Sequence, residues 1–237
     1  MIKKIFFFLL CQMFLYNLAF GQNTSSITIE VTNEKNNFKP QGIPTKGKIA
    51  VLIESHFDEQ EFDAFKTLFP QNGYEVDFVS YLWNNKALIF NGNDLRKRVK
   101  VTKDITLIDI NDYKAIILIG GYAMDRLRYD KERKDGVKNE SAAVSFLRKV
   151  VSDNKLKIGT ICHSLWLFTA SKDLLNGKKV TCAHNIIDDV VNANGIVIYE
   201  GNQTAEIVVD GNLISCNHPK NVDKLISKMI EEINNTN

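Results

Sequence analysis

The chain has 237 residues, 44% of them hydrophobic, enough to bury one sizeable core and short for two independent domains. Its 30 basic and 28 acidic residues nearly cancel, and loss of Lys3 and Lys4 with an N-terminal signal would make the balance formally neutral. That excludes the basic excess expected of a nucleic-acid binder.

In chain order, Met1-Ile2-Lys3-Lys4 precedes an apolar stretch from Ile5 to Phe20, and Ala19 and Gly21 place small residues where a signal peptidase reads them. Residues 1–21 are therefore predicted to be a secretory signal peptide, with export to the periplasm or the exterior. Cys11, Gln12 and Asn17 interrupt the apolar stretch, which is also short for a bilayer span, so no stable membrane insertion is expected after cleavage. Residues 22–46 are polar and carry Pro40, Gly42 and Pro44; they read as an extension or linker with one short strand over 27–31. The domain proper spans 47–237. It opens on Lys48-Ile49-Ala50-Val51-Leu52-Ile53, a run of the kind buried on both faces. Phe57, Phe62, Phe65, Leu68 and Phe69 then recur at helical spacing, and Glu75–Val79 reads as a second strand. Ala115–Ile119 is another buried strand and runs into Gly120-Gly121. A helix is predicted over 140–152, and Leu156–Ile161 is the strand that delivers Cys162. A short helix follows over 165–171, then the run Lys178-Lys179-Val180-Thr181-Cys182 and an amphipathic segment at 186–191. Two strands, 205–209 and 212–216, flank the hairpin signal Asp210-Gly211, and a closing helix covers 221–233. This alternation implies a doubly wound, mostly parallel α/β sheet with helices on both faces.

Ligands of such sheets bind beyond the carboxyl ends of the strands. Three loops there carry candidate chemistry: the one containing Asp58-Glu59-Gln60-Glu61, the Gly120-Gly121 pair, and Cys162-His163. A cysteine at a strand-to-helix turn meets the unpaired N–H groups and positive dipole end of the helix, which favour thiolate over thiol. The same turn offers the N–H of His163, joined by that of the Gly120-Gly121 pair, to a developing oxyanion. The bland alternative is a packed thiol; position after an apolar strand with His163 alongside favours the nucleophile. His163 is open to three roles: base toward the thiol, substrate orienter, or cap of the helix start. By residue pattern alone Glu61 reads as an exposed helix acid. His56, His184 and His218 have no metal-ligand spacing, so they are assigned to loops or the pocket rim, and no metal is predicted. Tyr122, Trp83 and Trp166 read as core or rim, and the run from Asp125 to Asp135 as a solvated helix and loop of mixed charge. Cys162, Cys182 and Cys216 are too few for a disulfide framework or zinc site and must include a free thiol.

Four stretches together resemble the ThiJ/PfpI superfamily over about residues 48–233: Asp58-Glu59-Gln60-Glu61; Leu118-Ile119-Gly120-Gly121; Thr160-Ile161-Cys162-His163; and Ile187–Gly195 followed by Val208–Ser215. The superfamily includes PfpI-type cysteine peptidases, glyoxalases and protein deglycases. The resemblance implies a flavodoxin-like sandwich, a Cys162 nucleophile, and Glu61 as the carboxylic acid that hydrogen-bonds its thiolate. It further implies His163 as base and Asp125, supplied by an adjoining subunit of a homo-oligomer, as the third member of a triad. Asp125 stands where the PfpI pattern has Glu, and Ser164-Leu165 where the family commonly has Gly-Pro. The implied substrate is a small carbonyl compound or a peptide, with no cofactor. Two other classes remain open: a redox sensor oxidised at Cys162, and a silent binding domain that keeps the turn for packing.

Overall fold

Apolar runs with little polar alternation need cover on both faces, and in the computed structural model Lys48–Leu52, Tyr113–Leu118 and Lys157–Ile161 lie side by side at the centre of one sheet. The structure describes residues 45–129 and 140–236, with the backbone of 27–29. The expected signal peptide, most of the extension, and residues 130–135 of the charged run lie outside the described residues.

In chain order the elements are β1 (Ile27–Ile29), β2 (Lys48–Leu52), α1 (Glu59–Gln71), β3 (Glu75–Ser80), β4 (Leu88–Asn91), β5 (Lys97–Val101), β6 (Lys103–Asp104) and β7 (Tyr113–Leu118). After them come α2 (Ala123–Leu127), α3 (Ala142–Ser152), β8 (Lys157–Ile161), α4 (Trp166–Thr169), β9 (Lys179–Val180) and α5 (Ile187–Asn192). The chain closes with β10 (Ile196–Val197), β11 (Tyr199–Glu200), β12 (Gln203–Thr204), β13 (Ile207–Asp210), β14 (Leu213–Cys216) and α6 (Val222–Asn234).

The main sheet has seven strands in the order β13-β14-β8-β7-β2-β3-β6. Every pairing is parallel except β13 with β14, the hairpin that the Asp210-Gly211 turn announced. The order of the five main parallel strands, β3-β2-β7-β8-β14, is that of a flavodoxin-like sheet, with the switch point between β2 and β7. α1 and α6 pack together on one face, and α2, α3, α4 and α5 contact one another in a separate layer. Phe62, Phe65 and Phe69 give α1 a buried stripe, as Leu225, Ile226, Met229 and Ile233 do for α6. Ser141 caps α3, accepting from the Val144 N–H while its hydroxyl donates to Leu127 O.

Between β3 and β7 the fold holds strands that the hydrophobic pattern did not announce. β4 and β5 form an antiparallel hairpin, and β1 adds to β5 in parallel, making a separate three-stranded sheet. β5 buries Val99 and Val101 and turns Arg98 and Lys100 to the other face, a half-buried strand whose cationic residues mask its period. The hairpin is tied to the loop after β2: His56 N donates to Asn91 O at 2.6 Å, and Asn93 N donates to Phe57 O at 2.8 Å.

Candidate active site

β8 ends at Ile161, and Cys162 follows in a left-handed conformation with φ +56°, a strain that persists only where neighbours enforce it. Cys162 N donates to Cys216 O on β14 at 3.0 Å, and Ala183 N donates to Cys162 O at 3.1 Å. Ser164 closes the turn from inside: its Oγ accepts from Ile161 N at 2.7 Å, and its own N–H donates to Ile161 O at 2.9 Å. The serine that departs from the Gly-Pro pattern thus holds the turn in place. Cys162 keeps 8% of its surface exposed.

The two glycines after β7 make room for the sulfur. A Cβ on Gly120 would lie 2.6 Å from Glu61 Oε1 and 2.9 Å from Cys162 Cβ, so the carboxyl and the cysteine close over bare backbone. Gly121 has φ +70°, and a Cβ there would meet His56 O at 2.2 Å. The backbone N–H groups of Gly121 and His163 lie close enough to the Cys162 sulfur to favour its thiolate. Gly120 is different, and here the expectation of an oxyanion donor is corrected: its N–H is taken up by Glu61 Oε2 at 2.6 Å. The other carboxyl oxygen, Oε1, is buried and has no hydrogen-bond partner among the described residues. Far from being an exposed helix acid, Glu61 is fully buried, its Oε2 held by Gly120 and not by the sulfur.

Burial, and then the charge of Asp58, push the Glu61 carboxyl well above its ordinary range, against the opposing N–H of Gly120. Burial thus favours the protonated form of the Glu61 carboxyl. Burial pushes the Cys162 thiol up to about 12, with charge at Glu61 and Asp58 adding and the two N–H groups opposing. This reverses the expectation of a helix-start thiolate: α4 is only four residues long, too short for a dipole that outweighs burial. Burial lowers the His163 pKa, with His184 and His218 adding to the effect and the Asn185 hydrogen bond and Asp58 opposing it. His163 is thus neutral and able to accept a proton.

His163 Nδ1 lies 3.3 Å from Cys162 Sγ, so of the three roles open to this residue the geometry realises contact with the thiol. Nε2 lies 2.8 Å from Asn185 Oδ1. Asn185, which no sequence motif singles out, sits in the short 3₁₀ turn His184–Ile186 after β9. The available signal was that this turn follows a strand beside the cysteine's own loop, but no spacing rule joins residue 185 to residue 163. Tyr122 and Trp166 border the His163 ring with centroids at 5.5 and 4.9 Å, and Trp166 Nε1 donates to Asp189 Oδ2 at 2.8 Å. These two aromatics form the rim. Trp83 instead packs against Tyr81, with the ring planes tilted by 56°.

Asp125 is not brought to His163 within the chain; its carboxylate pairs with Arg128 at 2.8 Å and is about half exposed. His56 contributes backbone, its carbonyl accepting from Tyr122 N at 2.8 Å, and His218 Nδ1 accepts from Lys220 N. Cys162, Cys182 and Cys216 are free and buried. Among the described residues no group of three or more His, Cys, Asp or Glu side chains is placed to hold a metal ion.

The chain is similar to several solved folds. A ThiJ/PfpI domain protein from Brachyspira murdochii superposes with TM-score 0.65 at 18% identity, covering 81% of this chain and 99% of that one. DJ-1beta of Drosophila melanogaster gives TM-score 0.62 at 15% identity, covering 80% and 95%. A two-domain protein from Anabaena variabilis with DJ-1/ThiJ/PfpI-like and ferritin-like domains gives 0.67 at 24% identity over 80% of this chain, which spans 48% of that protein's length. At these identities the likeness concerns the fold. In sequence, the chain is 26% identical over 176 residues to a Bacillus subtilis protein named "Putative cysteine protease YraA", covering 74% of this chain and 92% of that one. It is 24% identical over 188 residues to an uncharacterised protein of Staphylococcus haemolyticus, covering 78% and 97%. Residues 47–232 match the model of the DJ-1/PfpI family, and the chain belongs to that family.

Proposed function

We propose that this protein is an exported, cysteine-dependent enzyme in which Cys162 adds to the carbonyl carbon of a small carbonyl compound. The observation that carries the reading is the 3.3 Å contact between Cys162 Sγ and the Nδ1 of a neutral His163. Because the resting sulfur is a thiol, its proton passes to Nδ1 as the carbon–sulfur bond forms, and no preformed thiolate is needed. The N–H groups of Gly121 and His163, close to the sulfur, are in position for the oxygen that becomes negative beside it. With an α-dicarbonyl such as methylglyoxal, the adduct is a hemithioacetal, and the Glu61 carboxyl or His163 moves the next proton. With an amide, the imidazolium protonates the leaving nitrogen. An exposure of 8% at Cys162 favours the small dicarbonyl over a peptide chain, which needs an open groove. The unpartnered oxygen of Glu61 favours a second reading, oxidation of Cys162 to a sulfinic acid that the carboxyl O–H would then hydrogen-bond.

The test is turnover by the mature chain beside its Cys162→Ser variant, with methylglyoxal and peptide substrates in parallel. Methylglyoxal consumption should fall at least about 100-fold in the variant. Cys162-dependent cleavage of peptides alone would move the reading to a peptidase. Absence of any Cys162-dependent turnover, with selective addition of two oxygens at Cys162 under mild peroxide, would replace it with the redox reading.

A further inference from the structure

On the reading of Cys162 as nucleophile and His163 as its base, the geometry points to Asn185 as the positioning residue that fixes the His163 tautomer, so that one chain completes the site without an acid from a second copy. A neutral imidazole carries one N–H, and an amide oxygen only accepts. With Asn185 Oδ1 at 2.8 Å from Nε2, the proton resides on Nε2, and Nδ1 turns its lone pair toward Cys162 Sγ at 3.3 Å. When the thiol proton moves from Sγ to Nδ1, Nε2–H keeps the same acceptor, so the base changes charge without changing orientation.

Two further contacts restrict the ring. Tyr122 and Trp166 pack against it and against each other, with ring planes within 19° and 14° of its own and their own centroids 5.7 Å apart. Trp166 is tethered to Asp189 on α5, the helix that begins two residues after Asn185. One short segment, 185–189, thus anchors both the base and its aromatic neighbour. The carboxylate that the resemblance assigned to this role, Asp125, is committed to Arg128. A neutral amide orients the imidazole but does not stabilise imidazolium as a carboxylate would, which fits a resting pair of thiol and imidazole. The other charged or titratable groups facing the pair are Asp58 and Glu61 from the α1 side, His184 beside Asn185, and His218 after β14.

The test uses iodoacetamide on the full chain, with alkylation at Cys162 followed by peptide mass mapping from pH 5 to 9. It needs no knowledge of the substrate. Asn185→Leu should slow alkylation near pH 7 about 3- to 10-fold, the loss of one hydrogen bond, with Tm little changed. Asn185→Asp restores an acceptor and adds a charge that favours imidazolium, so its profile should shift to lower pH than wild type. Asp125→Asn should leave the profile in place. The assignment is overturned if Asn185→Leu alkylates like wild type, or if Asp125→Asn slows the reaction as much. It is equally overturned if Leu and Asp at 185 are equally slow with equally lowered Tm, which would mark a structural role. Methylglyoxal turnover measured alongside separates the two readings: Asn185-dependent alkylation without turnover in any form upholds the positioning role and removes the enzyme reading.

Discussion

Glu61 shows how a single side chain can link stability to the chemistry beside it. Its carboxyl is fully buried against Gly120 and Cys162, one oxygen is satisfied by the Gly120 N–H, and the other has no partner among the described residues. Burial keeps it protonated in the fold, whereas in the unfolded chain it ionises at ordinary carboxylate pH. Above that pH the folded state holds a proton the unfolded state has lost. Stability therefore falls as pH rises toward the folded pKa, by up to about 1.4 kcal/mol per pH unit. Glu61→Gln keeps the shape and an acceptor for Gly120 while removing the titration. The variant and wild type should have similar Tm values near pH 4, and the variant should become progressively the more stable of the two toward pH 8. A Tm difference that stays constant or shrinks over that range would mean that Glu61 is ionised in the native state.

At the scale of the element, Asp58 combines two functions at the start of α1. Its Oδ1 accepts from the N–H groups of Gln60 and Glu61, capping the helix, and its charge raises the pKa of both Glu61 and Cys162. Two substitutions separate these. Asp58→Ala loses the cap and should cost about 1 kcal/mol by urea denaturation, whereas Asp58→Asn keeps a good cap and should cost less than half of that. Both remove the charge, so both should move Cys162 alkylation to lower pH; an Asn variant with a wild-type profile would show that the charge does not reach the sulfur. The helix itself was readable in the sequence because Phe62, Phe65 and Phe69 recur at its period, and β2 and β7 because the apolar runs 49–53 and 115–119 are continuous. β4 and β5 were not, since Arg and Lys alternate with the two buried valines of β5 and only three apolar residues mark β4. At the site, Cys162, His163 and Gly121 were legible because a strand, a turn and a glycine pair are local signals. Asn185 and the burial of Glu61 were not, because both depend on which loops the sheet order brings together.

For the whole molecule the question is whether the site is a separable layer or part of the core. Phe62 on α1 packs against Phe57 with ring centroids 5.4 Å apart and against Phe78 on β3 at 4.7 Å, and all three are buried. Phe57 in turn pairs with Gly121 in an antiparallel bridge, and its carbonyl holds Asn93 of the β4-β5 hairpin. A single aromatic chain thus runs from the helix layer, through the loop after β2, to the glycine whose N–H lies close to the sulfur. Removing its middle member should be felt at both ends. Phe62→Ala is expected to cost about 3–5 kcal/mol, from lost burial and the cavity left behind. Trp166 lies in the site beside His163, so with Trp83→Phe introduced into both proteins to leave it the sole tryptophan, its fluorescence reports on the site, while far-UV circular dichroism reports on the sheet and helices. Because every site residue hangs from the ends of β2, β7, β8 or the segment after β9, both signals should lose structure at the same urea concentration in wild type. They should move together to a lower midpoint in Phe62→Ala. A fluorescence transition that precedes the circular dichroism transition in either protein would show that the site loops melt independently of the sheet, and that the aromatic chain does not couple them.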